Sequence, residues 1–386
     1  MAGAKNKSGG RSKRVSARAK AGDLADIRKR IDALDDRILA AINERAALAR
    51  NVGESKRKAQ AQSEAGAAVE FYRPEREAEV LRRVVANNPG PLRNEEIARL
   101  FREIMSACLA QQEPLKVAFL GPEGTFAQQA VLKHFGHSAS AIPLPLIPDV
   151  FYEVQAGHAD FGVVPVENST EGSINHTLDM FVASPLKICG EIELRIHQNL
   201  MGKMNNLQQV RRVVSHQQSL AQCRGFLDEY LPTIERIAAS SNAEAARRAR
   251  DEEGTAAIAG AVAAEIYGLN ILSPEIEDRA DNTTRFFVIG RKLFGPSGKD
   301  KTTMLLSVGD TQAPGALHRL LEPFAQKGIS LTRIESRPSQ KRKWDYVFFI
   351  DVQGHAEEQP LKSVLDQLKK RSSLFRVLGS YPCAVL

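Results

Sequence analysis

The sequence predicts a chain of three parts: an all-helical first segment, an α/β middle segment and a C-terminal α+β segment of ferredoxin-like type. Three observations carry this. Apolar residues from Ile27 to Val52 recur at three- and four-residue steps, the period of a helix face. Beyond Pro114 the pattern changes to short apolar runs followed by helical ones, the rhythm of strand–helix units. After Arg291–Lys301, a linker by composition, the elements fall in the order βαββαβ, which is the ferredoxin-like order. At 386 residues the chain can hold two or three domains, each with its own core.

Composition narrows the classes. The four cysteines, Cys108, Cys189, Cys223 and Cys383, are far apart. They suggest neither a metal site nor a disulfide framework, and fit a reducing cytoplasm. No apolar run is long enough to cross a bilayer. The net charge of +7 is matched by seven cations before residue 23, from Lys5 to Lys20, with no acid among them. Residues 1–22 therefore read as a disordered basic tail. The rest of the chain is balanced, so no specific nucleic-acid partner is expected.

Within residues 23–113, Ile27, Ile31, Leu34, Ile38, Ala41, Arg45, Leu48 and Val52 form the seam of one long helix. Arg45 occupies a seam position and Lys56 lies nearly on the same face eleven residues on. Two cations in an apolar stripe are costly unless an anion meets them. Arg28 points to a different face. Residues 59–68 read as a small-residue loop. Pro74 suits the first turn of a second helix, which carries Arg76 and Glu77 to about Val85. A third helix, roughly Asn94 to Gln112, sets Cys108 and Gln112 one turn apart.

On Arg28, Arg45, Lys56, Arg76, Glu77 and Gln112, this segment resembles the all-helical chorismate mutase family. The resemblance implies an intertwined helical dimer in which Arg28 reaches the partner's site. It further implies that Arg45 holds a substrate carboxylate, that Lys56 and Gln112 bond the ether oxygen, and that Glu77 bonds the hydroxyl. Arg76 and Cys108 would complete the substrate contacts, Cys108 standing where some relatives have Ser. The rearrangement needs only a held conformation and donors for the charge growing on the ether oxygen.

In the middle segment, the strand Lys116–Leu120 leads through Gly121-Pro-Glu-Gly-Thr-Phe126 into a helix. Thr125 and Gln128 have capping-box spacing. Such a strand–glycine–helix turn favours anions, although no nucleotide-loop spacing is present. Polar residues gather where strands end, at 167–173, at Ser215-His216-Gln217-Gln218 and at Gln222. Ligands of open α/β sheets sit at such ends. Asp281-Asn-Thr-Thr-Arg285 reads as a polar turn before the buried strand Phe286–Ile289. Hydroxyls beside a guanidinium suit a carboxylate ligand that must also receive a proton.

Through Gly121–Phe126, Pro165-Val-Glu-Asn-Ser169, Ser215-His216 and Thr283-Thr-Arg-Phe286, residues 115–291 resemble prephenate dehydratase. That implies two α/β lobes arranged like a bacterial periplasmic binding protein, with prephenate in the cleft. Thr284 would be the proton donor and Arg285 would hold or orient a carboxylate nearby. Asn168, Ser215 and Gln222 would line the cleft, and no cofactor or metal would be needed. His216 is the nearby ionisable side chain.

Residues 302–386 resemble the ACT regulatory domain, through Gly315-Ala316-Leu317 and Glu335-Ser336-Arg337-Pro338. This implies phenylalanine bound between two such domains, with Gly315 allowing close approach of the ligand backbone. Taken together, the resemblances imply a cytoplasmic homodimer or higher homo-oligomer with two activities and phenylalanine as effector. It would convert chorismate to prephenate and prephenate to phenylpyruvate. The competing class is a non-enzymatic aromatic-acid sensor. The presence of both Arg45/Lys56 and Thr284/Arg285 argues against it, since a sensor needs no mutase constellation.

Overall fold

The computed structural model describes residues 10–61, 72–308, 314–339 and 346–385, with side chains of the first stretch described over 24–59. It divides into two compact units, Met1–Val69 and Glu70–Leu386. The division falls inside 23–113, so the second and third helices group with the rest of the chain rather than with the first.

The first unit contains the helix α1 (Gly10–Ala61). The backbone is helical over 10–22, which corrects the expected disorder there, and the helix enters the expected loop as far as Ala61. Residues 1–9 and 62–71 lie outside the described residues. The seam spacing is fulfilled, but its side chains are not covered. Ile27, Ile31, Leu34, Ile38 and Val52 are between 46% and 55% exposed. No described helix is long and apolar enough to cross a membrane.

The second unit opens with α2 (Pro74–Ala86) and α3 (Asn94–Ala110). Pro74 stands at the first turn as expected, and Ala78 and Leu81 form the buried face of α2. Next come β1 (Lys116–Leu120), α4 (Phe126–Phe135), β2 (Ser140–Leu144), α5 (Ile147–Ala156), β3 (Phe161–Asn168), β4 (Gly172–Ser173), α6 (Asn175–Ala183) and β5 (Lys187–Arg195). The chain then crosses to a second lobe. That lobe holds β6 (Asn199–Gly202), β7 (Arg212–His216), α7 (Gln217–Gln222), α8 (Arg224–Tyr230), β8 (Glu235–Ala239), α9 (Asn242–Asp251), β9 (Thr255–Ala259), α10 (Ala261–Tyr267) and β10 (Asn270–Ser273). It returns as β11 (Thr283–Gly290), which inserts antiparallel between β3 and β5. The first-lobe sheet runs β2-β1-β3-β11-β5 and the second-lobe sheet β10-β6-β9-β7-β8. The expected polar turn before Phe286 is thus partly strand, because pairing with β5 begins at Thr283.

The last domain has β12 (Asp300–Val308), α11 (Ala316–Gln326), β13 (Leu331–Pro338), β14 (Tyr346–Gln353), α12 (Leu361–Arg371) and β15 (Ser372–Pro382). Its antiparallel sheet runs β13-β14-β12-β15, fulfilling the ferredoxin-like expectation. One core joins it to the first lobe: Phe181, Phe287 and Ile289 pack in the same cluster as Val347, Phe349 and Tyr381. At Gly379 the backbone approaches the Ile188 carbonyl so closely that a Cβ has no room.

Candidate active sites

The two lobes are linked twice, by residues 196–198 and 274–282, and a cavity of about 420 Å³ takes its walls from both. Thr125 caps α4, accepting from Gln128 N at 3.4 Å, while Gln128 Oε1 accepts from Gly124 N at 2.6 Å. Ser241 caps α9, accepting from Glu244 N at 3.0 Å. Thr125, Phe126 and Ala127 of the first helix start, and Ser241 and Asn242 of the second, line the cavity. Two helix N-termini thus present their positive ends to it. No Lys or Arg is among the described residues that line it.

Thr284 is buried at 8% exposure in the cavity wall, on the same face of β11 as Phe286. Asn168 Nδ2 donates to Thr284 Oγ1 at 2.9 Å and to Asn282 Oδ1 at 2.8 Å. Asn168 Oδ1 accepts from the backbone N–H groups of Thr170 and Glu171 at 3.0 and 3.1 Å. All four capacities of this amide are used, so its orientation is fixed.

From Asn282 the network continues to Gln222 Oε1 at 3.4 Å. Gln198 Nε2 donates to the same oxygen at 3.3 Å and to Ser219 Oγ at 3.1 Å. Ser219 donates to Asn242 Oδ1 at 3.0 Å. Gln198 Oε1 is buried beside the cavity without a hydrogen bond from the described residues.

The structure therefore brings together Thr284, Asn168, Gln222 and His216. It sets Ser215 behind them: its hydroxyl donates to the Ile258 carbonyl at 2.7 Å and lies 3.1 Å from Asn242 Oδ1. Sequence reasoning missed Gln198, Ser219, Asn242 and Asn282. Of these, Asn282 stood within the Asp281–Arg285 stretch but was given no role, whereas the others are polar residues at element ends that only topology gathers.

Arg285 is not in the cleft, and the expectation that it holds a carboxylate there is corrected. Successive strand residues face opposite ways, so Arg285 shares its face with Phe287, over whose ring its guanidinium lies at 4.9 Å. It donates to Glu191 Oε2 at 3.1 Å, Asp351 Oδ2 at 2.6 Å and Tyr381 Oη at 3.2 Å. Lys301 joins Glu191 at 2.8 Å. This buried group of charges lies between β11 and the C-terminal sheet.

Of the helical-segment candidates, α1 carries Arg28, exposed, and Arg45 and Lys56, partly buried. In the second unit, Arg76 is exposed and paired with Glu79 at 2.5 Å. Gln112 is partly buried just past α3, and Cys108 is buried within it. Glu77 lines a second cavity of about 410 Å³ together with Tyr72, Arg102 and His134. Burial pushes its carboxyl up to about 7, against the pull of the Arg102 charge and a hydrogen bond from Tyr72. Burial, reinforced by the charges of Arg102 and Lys133, holds His134 down at about 3. His134 is therefore neutral, with its Nε2 3.0 Å from the Tyr72 hydroxyl.

In the ferredoxin-like domain Gly315 precedes α11 with φ +73°, a conformation that favours glycine. Ala316 and Leu317 begin the helix, partly buried. Along β13 the side chains alternate. Ser336 and Pro338 are exposed, whereas Glu335 accepts from Ser173 Oγ at 2.7 Å and Arg337 holds Asp179 at 2.8 Å. Arg333, on the same face, lies 3.1 Å from Glu167.

Fold and cleft together define a two-lobed α/β enzyme domain with a ferredoxin-like companion and a helical lead segment. The family models agree part by part: chorismate mutase type II over residues 27–113, prephenate dehydratase over 117–293 and ACT domain over 305–370. A bifunctional chorismate mutase/prephenate dehydratase of Stutzerimonas stutzeri is 53% identical over 95% of this chain and 100% of its own length. One from Pseudomonas aeruginosa is 54% identical over 94% of this chain and 98% of its own. The chain belongs to the bifunctional chorismate mutase/prephenate dehydratase family. Among solved structures, a prephenate dehydratase in complex with L-Phe from Arthrobacter aurescens has a TM-score of 0.64 at 35% identity, covering 69% of this chain and 89% of its own.

Proposed function

We propose that Thr284 is the proton donor of the prephenate dehydratase reaction, within an enzyme that converts chorismate to prephenate and prephenate to phenylpyruvate under phenylalanine inhibition. One observation carries the assignment. The Asn168 amide donates into Thr284 Oγ1, so the threonine's own hydrogen is left to point elsewhere, and the charge growing on its oxygen is met by an existing donor. The ring carbon–hydroxyl bond breaks and the hydroxyl leaves as water with the threonine proton. The electrons of the breaking bond to the carboxyl carbon complete the aromatic ring as carbon dioxide departs. A proton from solvent restores Thr284.

The substrate carboxylates are held by the starts of α4 and α9, and Gln198, Gln222, Ser219 and Asn282 fix the ring between the lobes. In the mutase, Lys56 and Gln112 donate to the ether oxygen, and Glu77 accepts from the substrate hydroxyl. Arg28, Arg45 and Arg76 hold carboxylates, and Cys108 packs beside the substrate. Phenylalanine acts through residues 302–386, with Gly315, Ala316 and Leu317 and the outward Ser336 and Pro338 touching it. Glu335 and Arg337 carry its effect inward. The protein works in the cytoplasm as a homodimer, a reading supported by the uncovered seam of α1.

Feeding purified protein chorismate and following prephenate and phenylpyruvate separately tests this. Thr284→Ala should lower phenylpyruvate formation on the order of 10²–10³-fold and leave chorismate consumption intact. Equal loss of both activities in a folded variant would overturn the assignment.

A further inference from the structure

We propose that Arg102 is a positioning residue for the mutase carboxyl Glu77, and that the chain's last residues hold it in place. The inference rests on the reading of Glu77 as a mutase contact, and adds a residue and a segment to it. Arg102, on α3, reaches Glu77 with Nε 3.8 Å from Oε1, the two side chains being 11% and 16% exposed. Its Nε makes no hydrogen bond among the described residues. Its orientation therefore depends on the other end of the guanidinium, where Nη2 donates to the Val385 carbonyl at 3.1 Å.

The segment that offers this carbonyl is itself pinned. Cys383 N donates to the Lys299 carbonyl at 3.0 Å and Ala384 N to Glu191 Oε1 at 3.2 Å. Glu191 is the acid that pairs with Arg285. A short extension of β15 thus ties the regulatory domain and the dehydratase sheet to a helix of the mutase segment. Charged contacts to a buried acid are worth most where solvent is excluded, and here the contact is set from outside the mutase segment.

Other charges facing Glu77 do not replace Arg102. Tyr72 and His134 are neutral neighbours. Lys133 donates away, to the Glu193 carbonyl at 2.8 Å. Glu191, Glu193 and Arg195 of β5, and Cys383, stand on the cavity's other walls. Arg102 is the charge that opposes the effect of burial on Glu77.

The test uses the full chain with Arg102→Met, Arg102→Lys and a deletion of Ala384–Leu386, following both activities against pH. Arg102→Met should lower mutase turnover on the order of 10²-fold, the scale of a misplaced contact. It should also move the acid limb of the mutase profile to higher pH while dehydratase turnover persists. Arg102→Lys should recover part of both effects, and the deletion should shift the limb in the same direction. An unchanged mutase rate and profile in Arg102→Met, with Glu77→Ala inactive, overturns this inference alone. Full mutase activity in Glu77→Ala overturns the reading of Glu77 and this inference with it. If Arg102→Met loses the dehydratase as well, the deletion decides, and an unshifted acid limb there overturns the proposal.

Discussion

Glu77 shows what a single buried acid does to the whole chain. Its carboxyl sits at about 7 in the folded protein against an ordinary 4.5, chiefly through burial. Between those values the folded chain binds more protons than the unfolded one, so stability falls as pH rises from 4.5 to 7 and is level on either side. The loss is on the order of 3 kcal/mol. Glu77→Gln should abolish it: the melting temperature of the variant should exceed the parent's above neutrality and match it in acid. Identical pH profiles of melting would show that Glu77 is not held in its neutral form. At this scale the sequence pointed to Thr284 and Asn168, which line one cavity, because each lies in a motif whose polar residues adjoin an apolar run. It misplaced Arg285, because neighbours on a strand face opposite ways and the step from turn to strand came three residues earlier than the pattern suggested. Arg102 left no signal at all. Helix α3 also carries Glu95, Glu96, Arg99 and Glu103, so one more cation on it reads as a solvated side chain until the tail that covers it is known.

At the scale of elements, what was legible had a strong period or a clear stop. The strand–turn–helix order of 116–135 and the βαββαβ run both appear as expected, as does Pro74 at a helix start. The strand β5 was missed because Glu191 and Glu193 break its apolar run, and Glu191 is buried against Arg285, Lys301 and the Ala384 N–H. The second-lobe strands β6 and β10, four residues each, are too short to carry a period. Strand β13 repays closer attention. Arg333, Glu335 and Arg337 lie on one face and meet Glu167, Ser173 and Asp179, and Glu167 precedes Asn168 in the chain. A ligand on the exposed residues of β13 would act on the cleft through these three contacts, by binding one arrangement of them better than another. Arg333→Ala combined with Arg337→Ala should therefore keep dehydratase turnover within a few-fold and weaken phenylalanine inhibition on the order of 10-fold, a typical coupling. Unaltered inhibition would assign the coupling to other contacts.

For the whole molecule, the division at residue 69/70 was not legible. Periodicity identifies helices but not which of them pack together, and α1 alone gave no sign that α2 and α3 would group elsewhere. Its uncovered seam is what a two-fold helical dimer would bury. Arg28→Ala and Arg45→Ala should each nearly abolish the mutase. Unfolded and refolded together, they should restore about a quarter of parental activity, since about half the dimers are mixed and each of those has one intact site. Recovery no higher than the mutants' own residue, with subunit exchange shown independently, would mean that each site is built from one chain.

The cleft has one more property that follows from its walls. Its described lining includes the starts of α4 and α9 and no lysine or arginine, so under the proposed reading the substrate carboxylates rest on main-chain N–H groups. Main-chain donors survive every side-chain replacement except proline. A saturation scan of the dehydratase would therefore register Thr284 and the amide side chains, and stay silent about much of what retains the substrate. Such a site drifts in sequence more freely than one built on charged side chains, as long as the two helices keep their starting points.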